Sequence, residues 1–84
     1  MSYYVYLLKS ISPGINKTYA GYSTDVNKRL IKHNSNNGAK STRGYKWKII
    51  YQKKFNTKSE AMSFEHKLKK DKLLRKRIID KFDK

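Results

Sequence analysis

Residues 4–33 constrain the fold of this chain most strongly, because two strand-like segments are followed there by a helix-like one. The first segment, residues 3–8, is rich in aromatic and β-branched side chains and is apolar on both alternating faces. A strand of this kind is covered on both sides, so we place it at the centre of a sheet. Residues 18–22 resume strand character after a loop that contains Pro13 and Gly14, which predicts an antiparallel hairpin.

A third strand is predicted within residues 46–55. Large apolar side chains occupy alternate positions there, with polar residues between several of them: Trp47, Ile49, Tyr51 and Phe55. This alternation is typical of a strand that buries one face and wets the other. We therefore expect these four side chains to share one face of the sheet.

Capping residues mark where the helices begin. Ser23 or Thr24 can cap a helix whose first turn carries Asp25, and Thr57 with Glu60 has the spacing of a capping box. Together these signals predict one α/β domain of the α+β type over residues 1–84, with a three-stranded antiparallel sheet flanked by helices. The predicted strands lie at about 3–9, 18–22 and 46–55, and the predicted helices at about 24–34, 57–70 and 72–82.

The charge of the chain predicts a polyanionic partner. The sequence has 21 Lys and Arg against 6 Asp and Glu, a formal charge of +15. This imbalance favours nucleic acid, either DNA or RNA, although a generally lysine-rich surface would also produce it. Lysine predominates over arginine, which favours phosphate attraction over the reading of base edges. The predicted phosphate contacts are Gly21, which lacks a side chain that would block approach, and the cations Lys32, Lys40 and Arg43.

Composition also limits the compartment and the metal chemistry. The chain has no cysteine, so a metal would be held by oxygen or imidazole ligands. No apolar run reaches the roughly 20 residues that span a bilayer, and the N-terminus lacks a signal-like segment. We therefore expect a cytoplasmic protein without membrane contact, with association with the nucleoid as a variant of that location.

Several side chains capable of chemistry are expected to meet. Strand alternation places Tyr19 and Gly21 on one face of the second strand, and Tyr6 joins them if the faces of the two strands coincide. Arg29 and His33 are four residues apart, so they lie on one face of the helix that follows. These residues would surround a single site.

Glu65 is the acidic residue with the greatest need for a partner. It lies at helical spacing between Ala61 and Leu68, on or beside an apolar stripe. Because burial of an unpaired charge is unfavourable, the carboxylate requires a cation, a metal or strong hydrogen-bond donors. An ion pair with one of the many lysines and a metal site both satisfy this requirement.

The order of these motifs resembles the GIY-YIG nuclease domain. Tyr4-Val5-Tyr6 stands in the place of the first triplet and Tyr19-Ala20-Gly21 in the place of the second. Arg29 and His33 follow where that family carries helix-borne catalytic residues, and Glu65 follows where it carries its metal-binding glutamate. The resemblance covers about the whole chain and is closest to the short, stand-alone UPF0213 members.

The resemblance implies a metal-dependent endonuclease acting on structured or damaged DNA, as in repair and recombination. One Mg²⁺ or Mn²⁺ held by Glu65 would activate the phosphate and stabilise the leaving 3′ oxygen, while Arg29 neutralises developing charge. Tyr6, or alternatively His33, would take the proton from water, and Tyr19 would orient the nucleophile or its base. A tyrosine base needs cations or metal to lower its pKa from about 10, and the basic surroundings are expected to do so.

Two other interpretations stay open. Many nucleases of the family carry an asparagine after the metal-binding glutamate, and no asparagine follows Glu65 here. The chain could therefore be a catalytically inactive, basic module of the same fold that binds nucleic acid. It could also be a small partner subunit that docks through a C-terminal helix, because Leu74, Ile78 and Phe82 recur at helical spacing.

Overall fold

The structure, a computed structural model of the 84-residue chain, describes residues 2–11, 14, 17–35 and 44–82. The elements along the chain are β1 (Tyr3–Ser10), β2 (Thr18–Ser23), α1 (Val26–Asn34), β3 (Trp47–Phe55), α2 (Lys58–Lys70) and α3 (Lys72–Phe82). The predicted α+β class, with three antiparallel strands and three helices, is confirmed. Within the described ranges, no helix has the length and apolar character needed to cross a bilayer.

β1 is the central strand of the sheet. The strand order is β2-β1-β3, and β1 pairs with both neighbours in antiparallel fashion. Four consecutive residues of β1, from Val5 to Leu8, are fully buried, so both faces of this strand need a cover. The predicted central position of the first strand is confirmed.

Helices cover the two faces of the sheet separately. α1 covers a core formed by Tyr6, Leu8, Val26 and Trp47. α2 and α3 cover a second core on the opposite face, formed by Val5, Leu7, Ala20, Ala61 and Leu68, with side chains of α3 packed against it. The edge strand β2 contacts both α1 and α2. Side chains from helices on opposite faces can therefore meet along this edge.

The four residues predicted to share one face of β3 do not share it. Adjacent residues of β1 pair with Tyr51 and Ile49, which leaves Ile50 as the extra residue of a β-bulge. Trp47 and Ile49 consequently lie on the α1 side, whereas Tyr51 and Phe55 pack with the core on the α2 side. The prediction was wrong because one inserted residue reverses the alternation of every side chain beyond it.

The helix starts agree with the predicted capping chemistry at α2 and differ at α1. The N-cap of α1 is Asp25, whose carboxylate accepts a hydrogen bond from the Lys28 N–H at 3.1 Å. Ser23 supports this cap through its hydroxyl, which accepts from Asp25 N–H at 3.0 Å. At α2, the Thr57 hydroxyl accepts from Glu60 N–H at 3.2 Å and donates to the Glu60 carboxylate at 2.9 Å.

The apolar stripe of α3 is used inside the domain. Leu74 and Ile78 pack against the core on the α2 side of the sheet, and Lys48 lies over the ring of Phe82 at 4.7 Å. Leu74 and Ile78 therefore help to cover the sheet of the domain itself, and docking of a partner on the C-terminal helix stays a prediction.

Asn34, the last residue of α1, fixes the end of this helix to the start of β3. Its side-chain oxygen accepts from Trp47 N–H at 2.6 Å, and its side-chain nitrogen donates to the Trp47 carbonyl at 3.1 Å. The amide thus replaces a neighbouring strand as the partner of both backbone groups. This contact sets the position of the helix turn that carries His33.

We expect Asn34→Ala to destabilise the protein by about 1–3 kcal/mol, because it leaves two backbone groups of the partly buried Trp47 segment without their partner. In a domain of this size the melting temperature should fall by about 4–8 °C for each kcal/mol. Thermal denaturation followed by circular dichroism measures the change. Asn27→Ala, at an exposed position of the same helix, is the control; an equal change in both variants would contradict the role of the Asn34 amide.

Candidate active site

Tyr6 and Gly21 form the floor of the candidate site. They are directly paired across β1 and β2, and the Tyr6 side chain is fully buried. A Cβ atom on Gly21 would lie 2.5 Å from the Tyr6 hydroxyl and 2.7 Å from its ring carbon Cζ. Glycine therefore makes room for the phenol of Tyr6. The space expected to be open to a substrate phosphate is filled by this side chain.

His33 connects the two tyrosines. Its Nε2 atom is 3.1 Å from the Tyr6 hydroxyl, in a buried hydrogen bond. The imidazole also contacts the ring of Tyr19, with ring centroids 4.8 Å apart. His33 is itself fully buried. The predicted meeting of two phenols and a histidine beside a glycine is therefore present in the fold.

Arg29 lies beside this cluster, and its Nε–H is a candidate donor to a ligand. Interaction of the guanidinium with the Tyr6 phenol raises the pKa of Arg29 above its ordinary value. Its Nε atom is buried and has no hydrogen-bond partner among the residues that the structure describes. A buried N–H of a cation without a partner is costly, and an anionic oxygen would satisfy it. This N–H is therefore the donor in the cluster best suited to bind an anionic oxygen.

Burial moves the two ionisable groups of the hydrogen bond towards their neutral forms. Burial raises the pKa of Tyr6, and the charge and hydrogen bond of Arg29 oppose this rise without cancelling it. Burial, followed by the charge of Arg29, lowers the pKa of His33. The expectation that basic surroundings lower the pKa of Tyr6 overall is thus corrected, because desolvation outweighs the nearby guanidinium.

Glu65 approaches the cluster from α2. Its side chain is 16% exposed, and the ammonium nitrogen of Lys69 lies 3.0 Å from its Oε1 atom. Burial is the main cause of the raised pKa of Tyr6, and the negative charge of Glu65 adds a smaller contribution. Tyr6, Tyr19, Arg29 and His33 are brought together, and Glu65 joins them through charge while paired with a lysine.

The donor set fits one divalent ion bound through a single carboxylate. Among the residues in the described ranges, no three His, Cys, Asp or Glu side chains form a group that could hold a metal by themselves. Mg²⁺ commonly keeps several waters and binds through one or two carboxylates together with substrate phosphates. Glu65 can supply that carboxylate, with water and a phosphate completing the coordination. The Lys69 ammonium must then give up its contact with Glu65.

The predicted phosphate contacts have mixed placements. Lys32 is exposed in the last turn of α1, whereas Gly21 is buried beneath Tyr6. Lys40 and Arg43 lie outside the described residues. Sequence reasoning did not single out Lys69, although its spacing of four residues from Glu65 on one helix would have identified the pair.

Comparison with known proteins connects this geometry to one family. Residues 2–77 match the sequence profile described as the GIY-YIG catalytic domain. A UPF0213 protein of Staphylococcus saprophyticus is 40% identical over 68 residues, which cover 80% of this chain and 79% of that protein. A UPF0213 protein of Bacillus pumilus is 42% identical over 69 residues, covering 81% of this chain and 67% of that protein.

A solved structure shows the same fold. The solution NMR structure of a UPF0213 protein from Bacillus halodurans aligns with a TM-score of 0.53 and 33% sequence identity. The alignment covers 95% of this chain and 84% of that one. The predicted resemblance of this chain to the GIY-YIG domain and its UPF0213 members is confirmed.

Gly21→Ala tests the packing of Tyr6. The added methyl group should displace the phenol and destabilise the protein by about 1–3 kcal/mol, since a packed core resists extra volume. In a Tyr6→Leu background, where the distal ring atoms are absent, the cost should fall by at least about 0.5 kcal/mol. Urea denaturation of the four proteins measures this coupling. Equal costs of Gly21→Ala in both backgrounds would refute the contact.

His33 should make stability depend on pH. Its pKa is lowered in the folded protein, so the unfolded chain binds more protons below the ordinary value of about 6.5. The free energy of unfolding should therefore be level at neutral pH and decline as the pH falls from about 7 towards 5. Urea denaturation across this range measures the slope.

His33→Gln should flatten this decline, because glutamine has no proton to gain. His66→Gln, which removes an exposed histidine, should leave the decline intact. The same slope in His33→Gln as in the wild-type protein would show that another group titrates.

Proposed function

The chain belongs to the GIY-YIG family, and we propose that it is a divalent-metal-dependent endonuclease that hydrolyses phosphodiester bonds in DNA. Family membership implies nuclease chemistry and a nucleic acid substrate. The formal charge of +15 supports a phosphate-bearing substrate, since each cation near the backbone releases a counterion on binding.

The observation that carries this proposal is the buried Nε atom of Arg29, which has no hydrogen-bond partner within the described part of the chain and lies beside the buried pair of Tyr6 and His33. A scissile phosphate placed against Arg29 would accept that N–H and lie next to the phenol. The guanidinium would then stabilise the negative charge that develops on the phosphoryl oxygens during attack. Because the donor is already fixed and desolvated, little reorganisation is required when the charge appears.

Tyr6 and His33 would together remove the proton from the attacking water. In the His33 tautomer with its proton on Nδ1, the neutral phenol would donate to Nε2, and Arg29 would interact with the phenol oxygen. As the water oxygen attacks, its proton passes to the Tyr6 oxygen, and the original phenol proton passes to Nε2. The phenol remains neutral throughout, so its raised pKa does not prevent the transfer. Both groups are covered, and the half-buried Tyr19 and Arg29 would border the entrance for water.

Glu65 would hold the metal. A divalent ion bound there supplies Lewis-acid stabilisation of the phosphate and of the leaving 3′ oxygen. The carboxylate is largely buried, so its position is fixed by the packing of α2 on the sheet. Both Mg²⁺ and Mn²⁺ suit a site of one carboxylate, waters and phosphate oxygens.

Structured or damaged DNA is the proposed substrate, in the cytoplasm or at the nucleoid. The cationic surface consists mainly of lysines, which attract phosphate without the bidentate geometry that reads base edges. Shape and strand ends would therefore direct cleavage more than base sequence does. A role in DNA repair or recombination follows from that preference.

One observation favours a second candidate function, a nucleic-acid-binding module without turnover. The Glu65 carboxylate already has a cationic partner in Lys69, and Tyr6 and His33 are fully covered. A protein that kept this arrangement on binding DNA would bind the DNA backbone without cleaving it. The two candidates differ in cleavage and in localised metal binding, whereas salt-dependent affinity is common to both.

A substrate panel separates the candidates. Branched, nicked and single-stranded DNA, with matched RNA, are incubated with Mg²⁺ or Mn²⁺ and analysed on denaturing gels. At least one DNA should be cleaved, and a chelator should abolish the reaction. Glu65→Gln, Arg29→Gln and Tyr6→Phe should each lower the cleavage rate by about 10²-fold or more, the usual effect of losing such groups.

Glu60→Gln is the matched control, because it changes the charge of an exposed glutamate on the same helix. It should cleave at the wild-type rate. Cleavage that survives Glu65→Gln unchanged would assign the activity to a contaminant or to another site. Binding without cleavage of any substrate would support the inactive module.

A further inference from the structure

A basic pocket adjoins the candidate active site on the α2 side of the β2 edge. It has a volume of about 270 Å³ and is lined by Thr18, Tyr19, Ala20, Lys69 and Arg75. That volume is about nine times the roughly 30 Å³ occupied by one water, so a hydrated phosphate group fits. Two of the lining residues are cations, and none is acidic.

Arg75 is held in place with donors left over. One terminal nitrogen of its guanidinium donates to the Leu68 carbonyl at 2.7 Å and also to the Lys69 carbonyl. These bonds anchor the group on the C-terminal end of α2. A guanidinium has five N–H donors, and three of them belong to the other two nitrogens. The guanidinium of Arg75 is therefore fixed in position, and the N–H groups of its other two nitrogens can bind an anion.

Lys69 and Tyr19 join this pocket to the candidate active site. Lys69 pairs with Glu65 at 3.0 Å and remains half exposed, and an ammonium has three donors to share. Tyr19 lines the pocket and also contacts the His33 ring on the other side. A chain of phosphates could thus touch both places, because a DNA strand carries one charge per about 3.4 Å of helix axis.

We infer that Thr18, Lys69 and Arg75 form a second phosphate subsite, which binds the backbone phosphate next to the linkage held at Arg29. This inference rests on the proposed function, because it places the scissile linkage at Arg29. Arg75 binds the flanking phosphate through its free edge, Lys69 supplies a second charge, and the Thr18 hydroxyl donates a hydrogen bond. The subsite orients the strand across Tyr19, with the metal carboxylate between the two phosphates.

The test compares two thymidine oligonucleotides in the presence of a chelator, so that no cleavage occurs. The dinucleotide has one phosphodiester and the trinucleotide has two. NMR titration follows the backbone amide of Thr18 and the side-chain Nε signals of Arg29 and Arg75. The trinucleotide should shift all three signals and bind about tenfold tighter than the dinucleotide, the gain of one charge-assisted contact.

Lys69→Gln should reduce this preference to within about twofold, since it removes one of the two charges of the subsite. Arg75→Lys, which keeps a positive charge but lacks the paired N–H donors of a guanidinium, should also reduce the preference for the trinucleotide. Lys70→Gln, a neighbouring exposed lysine on the same helix, should retain it. Heteronuclear spectra of each variant verify the fold before titration.

The outcomes separate this inference from the proposed function. Shifts at Arg29 alone, with equal affinities for both oligonucleotides, would overturn the subsite and leave the proposed active site standing. Shifts at Thr18 and Arg75 without a shift at Arg29 would support a phosphate site in the pocket and count against catalysis at Arg29. No shift at any of the three signals would overturn the subsite outright.

Discussion

The buried hydrogen bond between Tyr6 and His33 is the contact on which the rest of the candidate site depends. It joins the central strand to α1 at a point where neither side chain reaches solvent. Such a contact requires a glycine at position 21, because any side chain there would occupy the place of the phenol. Burial favours the neutral form of both partners at rest, and the proposed relay from water through Tyr6 would avoid a buried phenolate by leaving the positive charge on His33.

The edge strand β2 explains how helices on opposite faces serve one site. Arg29 extends from α1 and Glu65 from α2, and the sheet would separate them anywhere except at an edge. The cation and the carboxylate both interact with the phenol of Tyr6. A domain of 84 residues has a modest core. Because the site lies at the sheet edge, no additional layer of secondary structure is needed to bring its residues together.

The sequence was sufficient for those parts of the site that depend on local periodicity. The strand alternation of Tyr19 with Gly21, and the spacing of Arg29 and His33 on one helix, follow from backbone geometry alone. The change of face at Ile50 could not be predicted, because a bulge arises from pairing with a distant strand.

Two features of the site also depended on tertiary packing. The pKa of Tyr6 is raised mainly because its side chain is completely buried. The sequence, with its many lysines, predicted a lowered pKa instead, since burial could not be seen from composition. The role of Gly21 became visible only when its partner across the sheet was known.

Paramagnetic broadening by Mn²⁺, with an uncleavable phosphorothioate oligonucleotide bound, locates the metal relative to the candidate active site. Signals of Glu65, Tyr19 and the Arg29 Nε should broaden together, and Glu65→Gln should abolish the effect. Broadening confined to other acidic residues would contradict metal binding at Glu65.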